Sequence, residues 1–145
     1  MGKVLVVDDD AGITLLLQRI ISKKGHQIVV ARNGLEGYAQ AQKEHPDLIL
    51  TDVRMPDLGG VELAAMLKEN RELAAIPVVI LSGTAYLIDL ETTPADAVLT
   101  KPFDLKTVYA LLDRYLGPAE LGAIKRNGAD PDPNRWSVTD NSKDL

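Results

Sequence analysis

The chain has no cysteine among its 145 residues. That excludes disulfide scaffolds, thiolate-bound zinc, iron–sulfur clusters and thiol catalysis at once. Only two histidines are present, His26 and His45, too few for a histidine-built metal site, and both are expected to be ordinary surface residues near element ends. No apolar run approaches the roughly 18 residues that mark a membrane span, so no membrane insertion is expected. The N-terminus carries one lysine and then a β-like run, without a signal-peptide pattern, and a cytoplasmic location is expected. No basic block occurs. The net charge is −5 and the pI about 5.0, so direct nucleic-acid or anionic-lipid binding is not expected. What remains is ordinary globular composition, 46% apolar and 26% charged. A chain of this length buries about two-thirds of its unfolded surface. It therefore folds as one domain without a metal or disulfide.

Two periodicities alternate. Lys3–Asp8 is a short, β-branched apolar run ending in acid, which predicts a buried strand. Ile13, Leu16, Leu17, Ile20 and Ile21 then recur at helical spacing, with Gly25 as a stop. Gln27–Ala31 predicts a second strand. Asn33-Gly34 opens a helix to about Glu44. It is not a phosphate-binding loop, because the GxxxxGK[ST] pattern is absent. Pro46 closes that helix, and Asp47–Asp52 predicts a third strand. A Pro/Gly-rich loop from Met55 to Gly60 leads to a helix over Val61–Asn70. Ile76–Ser82 predicts a fourth strand and Ala97–Thr100 a weak fifth. Asp104 can cap a last helix carrying Leu105, Val108, Leu112 and Tyr115. Strands alternating with helices predict an α/β fold, a doubly wound parallel sheet covered on both faces. Ligands of such sheets bind beyond the carboxyl ends of the strands.

From Gly117 the pattern fades. Residues 117–145 hold three of the eight prolines and no sustained apolar period. We read residues 1–117 as the domain and 118–145 as a mobile tail unless Leu121 or Trp136 docks, with no output domain.

The strand ends carry the chemistry. Asp8, Asp9 and Asp10 follow strand one, Asp52 ends strand three, Ser82 ends strand four and Lys101 follows strand five. Any one acid at a strand end reads as a solvated loop residue. Together they would face one crevice. Carboxylates about 4 Å apart repel by about 4 kcal/mol per pair at an effective dielectric of 20, which a cation or a retained proton relieves. Oxygen-only ligands beside an open cleft suit Mg2+. A carboxylate beside it can attack phosphorus to give an aspartyl phosphate. A lysine and a hydroxyl, Lys101 and Ser82, are the residue types that stabilise the charge on the transferring group.

VLVVDDD, DLILTDVRMPDLGG, PVVILSG and LTKPF, in this order and spacing, resemble the receiver domain of bacterial two-component response regulators, over about Lys3 to Leu116. The resemblance implies a (βα)5 flavodoxin-like fold with strand order 2-1-3-4-5. It implies Asp52 as phosphoacceptor and Asp9 as direct Mg2+ ligand. Asp8 would bind the ion through water, and the backbone carbonyl of Arg54 would be a further ligand. Ser82 is implied as the switch hydroxyl with small Gly83 beside it, Lys101 as the partner of the phosphoryl group, and the Lys101–Pro102 bond as cis. Asp10 is expected to face solvent. A histidine kinase or histidine phosphotransfer protein would donate the phosphoryl group. The output is left open among partner binding, onward phosphotransfer and a phosphorylation-dependent dimer.

Two departures from the family pattern stand out. Val98 occupies the position three before Lys101 where the family usually carries Tyr or Phe, and Tyr86 is the nearest aromatic. The stretch between Ser82 and Lys101 is a few residues short and is interrupted by Pro94 and two threonines, so its helix should be short, irregular or mobile. Two other functions compete. One is a Mg2+-dependent phosphatase resembling the haloacid-dehalogenase group, with Asp8 as nucleophile and Asp10 as general acid. It lacks an acidic strand end after Lys101 and a cap domain. The other is a receiver that works without phosphorylation.

Overall fold

In a computed structural model that describes residues 2–55, 57–83, 93–117 and 139–140, the elements follow in the order β1 (Lys3–Val7), α1 (Ala11–Lys23), β2 (Gln27–Ala31), α2 (Gly34–Glu44), β3 (Leu48–Asp52), α3 (Gly60–Glu69), β4 (Val78–Ser82), β5 (Ala97–Thr100), α4 (Leu105–Leu116) and β6 (Thr139–Asp140). The sheet order is β2-β1-β3-β4-β5-β6. The first five strands are parallel, in the order implied by the resemblance. The two-residue β6 lies antiparallel to β5, pairing Thr139 with Val98 and Asp140 with Ala97. Those two residues of the tail therefore meet the sheet edge. The rest of the tail, with Leu121 and Trp136, lies outside the described residues, as does the segment of residues 84–92 expected to hold the short helix and Tyr86.

Strand alternation builds two cores from one sheet. Val4, Val6, Leu48, Leu50, Val79, Leu81, Ala97 and Leu99 face one side. There they pack on Leu17, Ile20 and Ile21 of α1 and on Val108 and Leu112 of α4. Leu5, Val7, Ile49 and Val78 face the other side, against Ala41 of α2 and Leu63, Ala64 and Leu67 of α3. Both faces are covered, which is why the strands read as unbroken apolar runs.

The helix starts are fixed by side chains. Asp10 caps α1, Asn33 caps α2 and Asp104 caps α4, each accepting from a backbone N–H of the first turn. Each such cap is worth about 1 kcal/mol.

Two strands begin later than the sequence predicts. Asp47 donates its amide to the Lys3 carbonyl at 2.7 Å, and its carboxylate accepts the Lys3 amide at 2.9 Å. The ladder of β3 starts at Leu48, opposite Val4. Pro77 has no N–H to give, and Ile76 donates to Leu73 in a turn, so β4 starts at Val78.

His26 is a correction. It is buried, not a surface residue. Its Nδ1 accepts the Gly2 amide at 2.9 Å. Burial pushes its pKa below the ordinary histidine value, aided by the N-terminal charge and Lys24. His45 is exposed, as expected, in a left-handed cap of α2.

Candidate functional site

The site is built from loops that leave three parallel strands at their carboxyl ends. Counting by twos, Asp8 continues the row of Val4 and Val6. Asp52 continues Leu48 and Leu50, and Lys101 continues Ala97 and Leu99. All three rows belong to the same core, so the three polar side chains leave the sheet on one side. The registers of β1 on β3, β3 on β4 and β4 on β5 then bring them to the same edge of the sheet.

The Lys101 Nζ lies 3.1 Å from Oδ1 of Asp52 and 3.3 Å from Oδ2 of Asp8. The Lys101 amide donates to the Ser82 carbonyl at 2.8 Å, tying the ends of β4 and β5 together. The Lys101–Pro102 bond is cis. Asp8 is buried, and its Oδ1 accepts the Asp10 amide at 2.9 Å. Asp9 is exposed and Asp52 half-buried. One carboxylate oxygen from each of Asp8, Asp9 and Asp52 falls within 4.8 Å of the others. Asp10 is exposed, as expected. Its Oδ1 accepts from Gly12 at 2.8 Å and Ile13 at 3.2 Å, so it is engaged in capping α1.

The electrostatics follow from this crowding. Burial pushes the Asp8 carboxyl above its ordinary value, and Asp52 adds to the rise against the opposing pull of the Asp10 amide and Lys101. For Lys101, burial acts to lower its pKa. The hydrogen bond to Asp52 and the charges of Asp8 and Asp52 outweigh it, and the net direction is upward. One ammonium against three carboxylates leaves an excess of negative charge. The donors are hard oxygens at an open edge, and they fit Mg2+ better than softer metals.

The remaining predicted positions lie in β4, β5 and the loops after β3, β4 and β5. Ser82 is buried at the end of β4, and Gly83 beside it is exposed. Val98 is buried on β5, packed with Ile80, Ala95, Val53 and Val61. Arg54 is exposed in the loop after β3, and Pro102 is exposed after Lys101. Sequence reasoning missed the contact of that loop with α2. Gly34 sits so close to Leu58 that a Cβ there would overlap it. The Asn33-Gly34 pair was the signal, but it announces only a helix start.

The response regulator receiver domain model matches residues 4–113. The chain belongs to this family. Protein PilH of Pseudomonas aeruginosa is 37% identical over 119 residues, covering 77% of this chain and 98% of that protein. Among solved structures, the chemotaxis response regulator CheY4 of Vibrio cholerae superposes with a TM-score of 0.74 at 29% identity, over 80% of this chain and 99% of that one. The receiver domain of sensor histidine kinase PA1611 from Pseudomonas aeruginosa shares the fold, with a TM-score of 0.74 at 22% identity, over 80% of this chain and 98% of that one. In that structure a magnesium ion is coordinated in the active site cleft. This receiver is thus a component of two-component signal transduction. The phosphatase alternative is not favoured, and its general acid, Asp10, is the α1 cap. No helix among the described residues is long and apolar enough to cross a membrane.

Proposed function

We propose that Asp52 accepts a phosphoryl group from a phosphohistidine of a kinase or phosphotransfer protein. The observation that supports this best is the Lys101 ammonium held between Asp52 and Asp8 inside a three-carboxylate cluster. One Asp52 oxygen forms a bond to phosphorus as the bond from phosphorus to the donor imidazole nitrogen breaks. The imidazole keeps that electron pair. Asp9, Asp52 and the Arg54 carbonyl would hold Mg2+ directly, with Asp8 through water. When bound, the ion screens the repulsion between the carboxylates and the incoming phosphoryl oxygens. Lys101 is already desolvated beside Asp52 and exchanges carboxylate contacts for a phosphoryl oxygen with little reorganisation. Ser82 donates its hydroxyl to another phosphoryl oxygen. The chain catalyses only its own phosphorylation and dephosphorylation.

A protein donor is supported by exposed Leu15 and Leu16 on α1 and Leu105 on α4. These are apolar side chains on the two helices that begin at the site loops. A histidine kinase partner and the acidic, cysteine-free composition support a cytoplasmic location. Output is by partner binding or onward phosphotransfer.

The test is incubation with acetyl phosphate and Mg2+, followed by intact mass and mapping of the labelled residue. We expect a Mg2+-dependent gain of one phosphoryl group that Asp52→Asn abolishes. Label that persists in Asp52→Asn and disappears in Asp8→Asn would overturn the assignment.

A further inference from the structure

We propose that Gly34, at the start of α2, is a positioning residue for the loop that follows Asp52. The proposal rests on the assignment of Arg54 in that loop as a carbonyl ligand of Mg2+. Gly34 is buried. A Cβ built on it would collide with the Leu58 carbonyl oxygen, and would lie 2.7 Å from the Leu58 Cβ and 2.9 Å from its Cγ. The first turn of α2 is itself held firmly. The Asn33 Oδ1 accepts the Glu36 amide at 2.8 Å, and the Glu36 Oε1 accepts the Arg32 amide at 3.0 Å. These two bonds, one on the cap and one on the amide just before it, fix the entry into the helix. The helix cannot easily retreat, because one turn on Gly37 is pressed against Val7 and Leu63.

The loop is fixed at its other end as well. The Gly60 amide donates to the Val53 carbonyl at 3.0 Å, and Gly60 packs directly on the Asp52 carbonyl. Between the two contacts, Asp57 turns the chain at φ of 72°, a left-handed conformation that aspartate adopts more readily than most residues. Leu58 also packs into the core beneath α2 and α3. The chain segment carrying Arg54 therefore stands between a fixed strand end and a contact that exists only because residue 34 has no side chain. A methyl group at Gly34 must push Leu58 outward, and the displacement is transmitted along the loop toward Arg54.

The test compares Mg2+ binding by Gly34→Ala, Ala41→Gly and the wild type, using titration calorimetry and amide chemical shifts at Asp8–Asp10. Ala41 is buried two turns along the same helix, and its loss destabilises α2 without touching the loop. Changes in groups that orient a metal ligand weaken metal affinity by about tenfold or more, and we expect about tenfold for Gly34→Ala. Ala41→Gly should lower the thermal midpoint and leave the Mg2+ dissociation constant within about twofold. Amide shifts of metal-free Gly34→Ala should change at Val53–Gly59. Equal Mg2+ affinity in folded Gly34→Ala and the wild type overturns the proposal. Should Gly34→Ala not fold, Leu58→Ala loosens the same contact from the loop side. It must then weaken Mg2+ binding, and wild-type affinity in that variant overturns the proposal too. A wild type that binds no Mg2+ near Asp8–Asp10 is a different result. It removes the metal assignment itself, and with it the basis for the role of Gly34.

Discussion

Removing Lys101 perturbs the site at its electrostatic centre. The Lys101 ammonium is 3.1 Å from Asp52 and 3.3 Å from Asp8, whose side chain is fully buried. At about 3.2 Å and an effective dielectric of 20, each attraction is about 5 kcal/mol gross, most of it offset by desolvation of the three charges. Deleting one partner of a buried pair costs about 3–5 kcal/mol, because the other charge is stranded. Lys101 keeps 23% of its side chain exposed, and solvent screening brings the expected loss to about 2–3 kcal/mol. For a domain of this size, Lys101→Met should lower the metal-free thermal midpoint by about 10 °C. Mg2+ should act in the opposite sense. A unit charge about 5 Å from a divalent ion is worth about 1.7 kcal/mol even at the dielectric of water, so the variant should bind Mg2+ about tenfold more tightly. At saturating Mg2+ the extra stabilisation should recover about 1.4 kcal/mol. Thermal melts with and without Mg2+, and a Mg2+ titration, measure both quantities. A metal-free midpoint within about 2 °C of wild type, together with unchanged Mg2+ affinity, would refute the picture of a lysine shared between two carboxylates.

Two other outcomes follow from the same cluster. Asp9→Asn should raise the metal-free midpoint, because Asp9 lies within 4.8 Å of two other carboxylates, and should shrink the Mg2+-induced rise. A lower metal-free midpoint with an unchanged Mg2+ shift would contradict Asp9 as a ligand. Asp8 keeps its proton to a higher pH when folded than its ordinary 3.8. Its contribution to metal-free stability is therefore complete below 3.8 and is lost as pH rises through the elevated value. Mg2+ favours the ionised form, so its dissociation constant should rise as pH falls into that window, and Asp8→Asn should flatten the rise.

The sheet and its carboxyl-end cluster were legible because both depend on short-range pattern. The runs of β1, β3 and β4 are apolar on both faces, and each ends in a residue of the site or just before one. His26 was not legible. It is buried and accepts the Gly2 amide at Nδ1 across 24 residues of chain. Nothing next to His26 in sequence reports that. The contact of the Asp47 carboxylate with the Lys3 amide is likewise non-local, spanning 44 residues. Gly34 is a third case. Asn33-Gly34 marks a helix start by local rules, while the reason for glycine lies in Leu58, which only the packed loop supplies.

Under the proposed phosphorylation of Asp52, Val98 would limit how a signal can leave the site. Ser82 continues the row of Val78 and Ile80, and Val98 pairs with Ile80 on that face. A hydroxyl drawn from Ser82 toward a phosphoryl group would open space above this row. An aromatic at residue 98 could swing into it. Valine cannot, because its β-branched side chain is stiff at χ1 and is packed against Ile80, Ala95, Val53 and Val61. The main chain offers another route. The Ser82 carbonyl accepts the Lys101 amide at 2.8 Å, so a displacement of Ser82 pulls on Lys101 directly. Lys101 itself would move if its carboxylate contacts gave way to a phosphoryl group. Both displacements converge on the turn into α4, whose first turn is held by the Asp104 carboxylate on the Thr107 amide at 2.8 Å. Amide shifts on adding beryllofluoride with Mg2+ should therefore be larger over Lys101–Leu105 than at Val98. Large changes in the Val98 methyl signals, with Lys101–Leu105 unmoved, would place the switch in side-chain repacking and refute a backbone route.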